Sequence, residues 1–276
     1  MTITPWVREF VARALAEDIG AGDITTDACV PEGAVARGTF FARQPLVVAG
    51  TALLAVVYEL RGGVDRLDLA VADGARVEAG AALARVEGKA RTLLTCERVA
   101  LNLLQRLSGI ATLTARYVDA VAGTRARILD TRKTTPGMRL LEKAAVAAGG
   151  GMNHRIGLYD AVLIKNNHIA AAGGVQQALE RVKGVSIPVE IEVRTRAELD
   201  EALASGARRL LLDNLRPAEA AEWIRHINGR AVVELSGGIT LETVRAFAEA
   251  GPDYISVGAL THSAPAADIN FRLELA

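Results

Sequence analysis

From about Leu113 onward the chain alternates between short apolar runs and helix signals, and few folds accept that pattern. The runs are Arg127-Ile128-Leu129, Ala161 to Ile164, Val189 to Val193, Leu210 to Leu212, Ala231 to Leu235 and Tyr254 to Val257. Between them, Thr195 with Glu198 reads as a capping box, and Gly206 as the residue that ends that helix. Pro217 stands where the first turn of a helix tolerates proline. Thr240 reads as the cap of a helix from Leu241 to Ala250, closed by Gly251-Pro252. Continuously apolar strands that alternate with helices belong to a parallel sheet covered on both faces. Six such units, where a closed barrel would need eight, predict an α/β fold built on an open or incomplete (β/α) barrel. A doubly wound sheet is the alternative, because strand order is not written in one sequence.

The first part, to about Thr112, has another rhythm. Val35 to Phe41, Pro45 to Ala49, Leu67 to Ala70 and Ala82 to Glu87 read as short strands, punctuated by Asp73-Gly74 and Gly80. Glu97 to Leu107 reads as a buried helix that stops at Ser108-Gly109. This order predicts an N-terminal α+β domain over residues 1–112 and a barrel over residues 113–265. Trp6, Val7, Phe10, Val11, Ala14 and Leu15 keep helical spacing, so the N-terminus reads as an amphipathic helix and not as a secretory signal. No apolar run approaches the roughly 20 residues that span a bilayer. Cys29 and Cys96 lie far apart and outside any C-x-x-C, which predicts two buried free thiols in a reducing cytoplasm.

Charge is distributed unevenly. Between Arg125 and His168 stand 8 Lys or Arg against 3 Asp or Glu, in a protein whose net charge is +0. Such a concentration suits a pocket for a small, highly anionic substrate; a nucleic-acid groove would leave a whole face basic. Polar groups also gather where each predicted strand stops: Asp130, Arg132 and Lys133, then Lys165, Glu192, Asp213, Ser236-Gly237-Gly238, and Gly258 with Thr261-His262-Ser263. Barrel enzymes place their active sites at these strand ends, with phosphate held by the last two loops.

Bland readings exist for several of these groups. Arg139 and Lys143 read as solvated helix charges, Glu192 as a structural partner of Arg194 or Arg196, Asp213-Asn214 as a helix cap, and His168 as the close of a strand. Lys165 is different, because it ends an apolar run in a predicted buried strand and would need an anionic partner or a shifted pKa there. Asn153-His154-Arg155 after Gly149-Gly150-Gly151 also points to function, since glycines let a loop fold tightly and aim the polar side chains after them.

These motifs together resemble the quinolinate phosphoribosyltransferase family. The resemblance rests on Asp130 to Gly137, Gly149 to Arg155 with Gly157-Leu158, Leu163 to His168, Glu190 to Val193, Leu212-Asp213-Asn214, Ser236 to Gly238 and Val257 to Ser263. Gly22 to Thr26, Glu97 to Asn102 and Leu107 to Thr112 extend it over nearly the full length. Gln44-Pro45-Leu46 departs from the family pattern, in the N-terminal sheet and away from the chemistry.

The resemblance implies an open α/β barrel as the catalytic domain, an N-terminal sandwich domain on which the tail 266–276 packs back, and an enzyme of de novo NAD biosynthesis. It would convert quinolinate and phosphoribosyl pyrophosphate, with Mg²⁺, to nicotinate mononucleotide, pyrophosphate and carbon dioxide. It implies Arg98, Arg132 and Arg155, helped by His154 and Lys165, around the quinolinate carboxylates, with Lys133 near a carboxylate or the pyrophosphate. Lys165, Glu192 and Asp213 would be catalytic, the two acids facing the ribose and Mg²⁺, and Ser236, Gly237, Gly238 and Gly258 would hold the 5′-phosphate. It further implies a cytoplasmic homodimer, alone or within a hexamer, in which Arg98 serves the neighbouring subunit's site.

The chain contains no adjacent Asp-Asp pair of the kind that type I phosphoribosyltransferases use to read ribose. A paralogous family from molybdate-transport operons is the alternative, but it tends to depart from the Leu-Ile-Lys-x-Asn-His pattern that is intact here. A Schiff-base aldolase would use Lys165 without needing three arginines. Val77 to Gly80 resembles a biotinyl or lipoyl carrier, yet no lysine stands at the tip such a carrier modifies.

Overall fold

The computed structural model describes residues 1–275; Ala276, at the end of the predicted tail, lies outside the described residues. The chain divides into two compact units. The first comprises residues 1–115, 135–150 and those from 264 onward, and the second residues 116–134 and 151–263.

In the first unit, strands Ile269–Leu275, Val35–Ala42, Ala82–Lys89 and Arg66–Leu69 form an antiparallel sheet in that order. Alternation creates its two faces: Ala36, Gly38, Phe40 and Ala42 are buried while Val35 and Arg37 are exposed. Phe40 packs on Phe271 of the paired strand, ring centroids 4.7 Å apart. The helix Pro5–Ile19 begins where Thr4 Oγ1 accepts the Val7 N–H at 3.3 Å, with Pro5 in the first turn, and it buries Val7, Val11 and Leu15. Cys96 is buried, and burial pushes its thiol up to about 12, whereas Cys29, expected inside, is exposed at the end of the short helix Ile24–Cys29.

The predicted stop at Ser108-Gly109 is absent: one helix runs from Ala90 to Ala120. Gly109 serves close packing instead, since a Cβ there would fall 2.0 Å from the Pro265 carbonyl oxygen. The same helix carries Arg106, whose Nε and Nη2 donate to Glu142 Oε1 at 3.1 and 2.7 Å. Glu142 lies on the helix Arg139–Ala148, wholly buried, and also accepts the Thr135 hydroxyl at 2.8 Å and the Thr135 N–H at 3.1 Å. Its neighbour Lys143, expected from the sequence to be solvated, is buried too, while Arg139 is half-buried.

The second unit holds one parallel sheet. In chain order its strands are Arg127–Leu129, Val162–Ile164, Val189–Val193, Arg209–Asp213, Val232–Ser236 and Tyr254–Ser256. In space the second to sixth lie side by side in sequence, and the first pairs with the sixth. Doubly wound sheets reverse direction at a switch point. This order never reverses, and right-handed crossovers then put all helices on one side and curl the sheet toward a barrel. The first and second strands do not pair, so the barrel stays open along one seam. The capping box at Thr195 and Glu198 forms as predicted, opening the helix Arg196–Ala204, and Gly206 comes after it at φ +83°. Thr240, by contrast, does not cap the helix expected of it: residues 241–243 make a turn, and the helix is only Val244–Glu249.

Removing Arg106 would take a guanidinium from Glu142, a carboxylate with no exposed surface, and breaking such a pair typically costs about 3–5 kcal/mol. Arg106→Ala is therefore expected to lower the urea midpoint by an amount worth about 3 kcal/mol, with Arg106→Lys recovering part of it. A loss below about 1 kcal/mol would show that the pair does not hold the helix Arg139–Ala148 in place.

Candidate active site

The C-terminal ends of the six strands surround a cavity of about 600 Å³, walled wholly by the second unit. Traced along the sheet from the seam, its rim shows three chemically distinct arcs.

The first arc is cationic. Arg132 and Lys133 come after the first strand, Lys165 after the second, and Arg155 from the loop that fills the seam between them. That loop is stitched to the first strand: the Met152 N–H donates to the Ile128 carbonyl at 2.8 Å, and the Asp130 N–H to the Met152 carbonyl at 3.1 Å. Buried Asp130 then accepts the His154 N–H through Oδ1 at 2.8 Å. Asp160 turns the loop back by accepting the N–H groups of Ile156 and Gly157 at 2.7 and 2.9 Å, and Arg155 Nη1 donates to the Ala161 carbonyl at 3.1 Å. Burial, and next the nearby Arg132 guanidinium, hold Arg155 below the usual guanidinium range. Two cations kept this close suit a ligand with more than one negative group.

The second arc is acidic, on the adjacent third and fourth strands. Glu192, 3% exposed, and Asp213, 12% exposed, are bridged by Arg194, whose Nη2 lies 2.7 Å from Glu192 Oε1 and 3.2 Å from Asp213 Oδ2. Lys165 Nζ lies 3.4 Å from Glu192 Oε2, so the partner expected for this lysine is present. The lysine side chain is nevertheless 48% exposed: it stands at the strand end as the N-cap of the helix Asn166–Ala172, and its N–H donates to His168 Nδ1 at 2.9 Å. His168 thus caps a helix. Arg196, the other partner considered for Glu192, pairs with Asp200 and Glu222.

The third arc, on the fifth and sixth strands, is mostly backbone: Ser236, Gly237, Gly238 and Gly258. Gly237 has φ +100°, and a Cβ there would meet Asn214 Oδ1 at 2.2 Å. Only glycine lets this loop pass so close to the next strand end. Asn214 itself, at φ +60°, donates to Asp213 Oδ2 at 2.7 Å, so Asp213-Asn214 shapes the rim instead of capping a helix. Thr261 Oγ1 donates to the Lys133 carbonyl at 2.8 Å and joins this arc to the first.

Eleven of the twelve residues proposed from the sequence as substrate-binding or catalytic line this one cavity. The twelfth, Arg98, belongs to the first unit and is exposed on the helix Ala90–Ala120.

Sequence reasoning did not give Arg194 a place in the site, nor did it find the charge deeper in the barrel. Glu190, Glu234 and Ser256 are buried inside strands that read as apolar. His154 Nε2 lies 3.2 Å from Glu190 Oε2 and 3.5 Å from Glu234 Oε2, and the Ser256 hydroxyl donates to Glu234 Oε1. The signal was available: Val-Glu-Ile-Glu-Val sends both glutamates to one face of a two-residue repeat, and Val-Val-Glu-Leu-Ser buries another. The ligand atoms of His154, Glu190 and Glu234 lie within 4.8 Å of one another, a spacing that could hold a metal ion. The imidazole argues against it. His154 Nδ1 accepts the Arg155 N–H at 2.7 Å, which leaves the ring proton on Nε2, facing the carboxylates. A metal-bound histidine does the reverse, donating from the nitrogen away from the metal.

Residues 23–108 match the N-terminal domain, and residues 110–272 the C-terminal domain, of quinolinate phosphoribosyl transferase. A nicotinate-nucleotide pyrophosphorylase [carboxylating] from Mycobacterium leprae is 46% identical over 96% of each chain. A probable nicotinate-nucleotide pyrophosphorylase [carboxylating] from Bacillus subtilis is 41% identical over 94% of this chain and 90% of its own. The crystal structure of NadC from Streptococcus pyogenes superposes with a TM-score of 0.94 at 39% identity, covering 100% of this chain and 99% of that one.

The buried carboxylates create a pH dependence. Burial first, and then Glu190, push Glu234 up from 4.5 to about 7, against the opposing influence of His154, Ser256 and Arg209. Between those values the folded chain holds a proton that the unfolded chain has released, so this contribution to stability is full below about 4.5, falls as pH rises, and levels off above about 7. Glu234→Gln keeps the shape and stays neutral, and is expected to flatten that fall. Urea midpoints at pH 5 and pH 8 measure it; an equal fall in the variant would mean that Glu234 does not carry the proton.

Proposed function

The chain belongs to the quinolinate phosphoribosyltransferase family, and on that premise we propose that it joins quinolinate to phosphoribosyl pyrophosphate. The products are nicotinate mononucleotide, pyrophosphate and carbon dioxide, as in de novo NAD biosynthesis. The observation that carries this reading is the order of the three arcs, because their charges match the three parts of the assembled substrates.

Arg132, Arg155 and Lys165 would take the two ring carboxylates, guanidinium forks being suited to them, with Lys133 at a carboxylate or the departing pyrophosphate. Next along the rim, Glu192 and Asp213 would face the ribose. As the C1′–O bond to pyrophosphate breaks, positive charge builds on the sugar, and two fixed carboxylates stabilise it. The ring nitrogen closes the C1′–N bond and becomes cationic. The C2–carboxylate bond can then break, with the electron pair left on the carbon beside that cation until a proton arrives. The protein's part in that step is to hold the ring and exclude water. The N–H groups and glycine surfaces of Ser236 to Gly238 and Gly258 suit the 5′-phosphate. His154, with its Nε2–H turned inward to Glu190, would position the loop carrying Arg155 more than it would bind a carboxylate itself.

Glu192 and Asp213 offer the hard oxygen donors that Mg²⁺ takes, and the expected ion would be held there and on the substrate phosphates, where it would neutralise charge on the leaving pyrophosphate. We place the enzyme in the cytoplasm as a homodimer, with Arg98 completing the neighbouring subunit's site. The free thiols Cys29 and Cys96 suit a reducing compartment. Among the described residues no helix is long and apolar enough to cross a membrane.

The purified chain should form nicotinate mononucleotide from quinolinate. With nicotinate as acceptor kcat/KM should be lower by at least about 100-fold, because the missing carboxylate leaves cations unpaired at about 1–3 kcal/mol each. Comparable turnover of both acids would overturn the assignment. For the shared site, inactive Arg98→Ala mixed with inactive Lys165→Ala should regain activity, since about half of randomly exchanged dimers carry one intact site. No recovery, once exchange is demonstrated by differently tagged subunits, would mean that Arg98 acts within its own subunit or not at all.

A further inference from the structure

The acidic arc contains a cation of its own. Arg194 comes directly after the strand Val189–Val193, and its main chain is fixed: the Arg194 N–H donates to Glu198 Oε2 at 2.7 Å, the same oxygen that accepts the Thr195 N–H at 3.2 Å in the capping box. Its side chain is 46% exposed and spans to the two acids with one nitrogen. That nitrogen touches Glu192 Oε1 and Asp213 Oδ2 together, so it fills the space that an ion shared by the two acids would need.

The charges agree with this. Glu192 and Asp213 contribute two negative charges, and Arg194 with Lys165 contributes two positive ones, all linked at 2.7 to 3.4 Å. A balanced cluster offers a divalent cation little attraction. Without Arg194 the cluster would carry a net negative charge on acids 3% and 12% exposed, where screening by water is weak. An ordinary surface arginine does little for its partner because water screens the pair, but here both acceptors lie in the cavity wall. The long side chain can swing outward about a fixed backbone, so vacating the acids requires no movement of the strand.

We propose that Arg194 is an internal counter-ion that occupies the Glu192–Asp213 pair in the free enzyme, so that a divalent cation enters only together with the polyphosphate substrate. This rests on the phosphoribosyltransferase reading for the identity of that substrate. Loading is then ordered: the pair does not collect stray divalent ions, and it is released when a metal already bound to phosphates displaces the guanidinium.

Mn²⁺ can stand in for Mg²⁺ and be monitored by electron paramagnetic resonance on the full chain, without turnover. Wild type alone should bind Mn²⁺ weakly. Arg194→Gln should bind it at least about tenfold more tightly, and adding Glu192→Gln to that variant should abolish the gain. Arg194→Lys, which keeps the charge, should stay weak, and circular dichroism checks that each variant is folded. Phosphoribosyl pyrophosphate should raise Mn²⁺ binding by wild type to at least the level of Arg194→Gln. Equal Mn²⁺ binding by wild type and Arg194→Gln overturns the proposal, as does tight binding by wild type alone that Glu192→Gln removes. A chain that fails to bind phosphoribosyl pyrophosphate at all, while Arg194→Gln still gains Mn²⁺ affinity, sinks the assigned activity and leaves the counter-ion role standing.

Discussion

A carboxylate inside a parallel barrel must find a cation, a donor or a proton, and Glu190, Glu192 and Glu234 place that demand on their surroundings. Each meets it differently. Glu192, at the mouth, takes Lys165 and Arg194. Glu190 takes the His154 ring, with Arg209 further off at 3.8 Å. Glu234, deepest and 1% exposed, holds its proton more tightly than a free acid. The His154 contact reaches beyond the barrel interior, because the same residue belongs to the loop that closes the seam and presents Arg155. Charge balance at the floor of the cavity therefore helps to set the geometry of its cationic wall.

The seam is what makes this possible. A closed barrel would limit the wall to strand ends, whereas the gap between the first and second strands lets a loop take part, tied by Met152 and Asp130 to one strand and by Asp160 to itself. Rigid strands supply the acids and a pinned loop supplies a guanidinium.

Much of this was legible in the sequence. The six apolar runs lie within two residues of the strands they predict, because short parallel strands have few other ways to read. The polar strand ends converge because parallel strands must end on one side. The features that were not legible depend on tertiary contact. Gly109 resembles a helix stop until the Pro265 carbonyl is seen against it. Thr240 has the chemistry of a cap, but the chain makes a turn first. Strand order, which separates a barrel from a doubly wound sheet, is a property of pairing alone. Arg194 looked like a bland partner of Glu192, and nothing in local spacing places it on Asp213 as well.

The pairing of Val35–Ala42 with Ile269–Leu275 joins segments more than two hundred residues apart. On the ribosome, where chains grow from the N-terminus, the first of these strands is synthesised long before its partner. Until residues 269–275 emerge, it has Ala82–Lys89 on one side and an open edge on the other, carrying unpaired backbone groups beside Phe40 and Phe41. Contacts of such long range form late and expose the waiting edge to association with other chains. For this protein, the hazardous interval of biosynthesis is therefore the time spent translating the barrel.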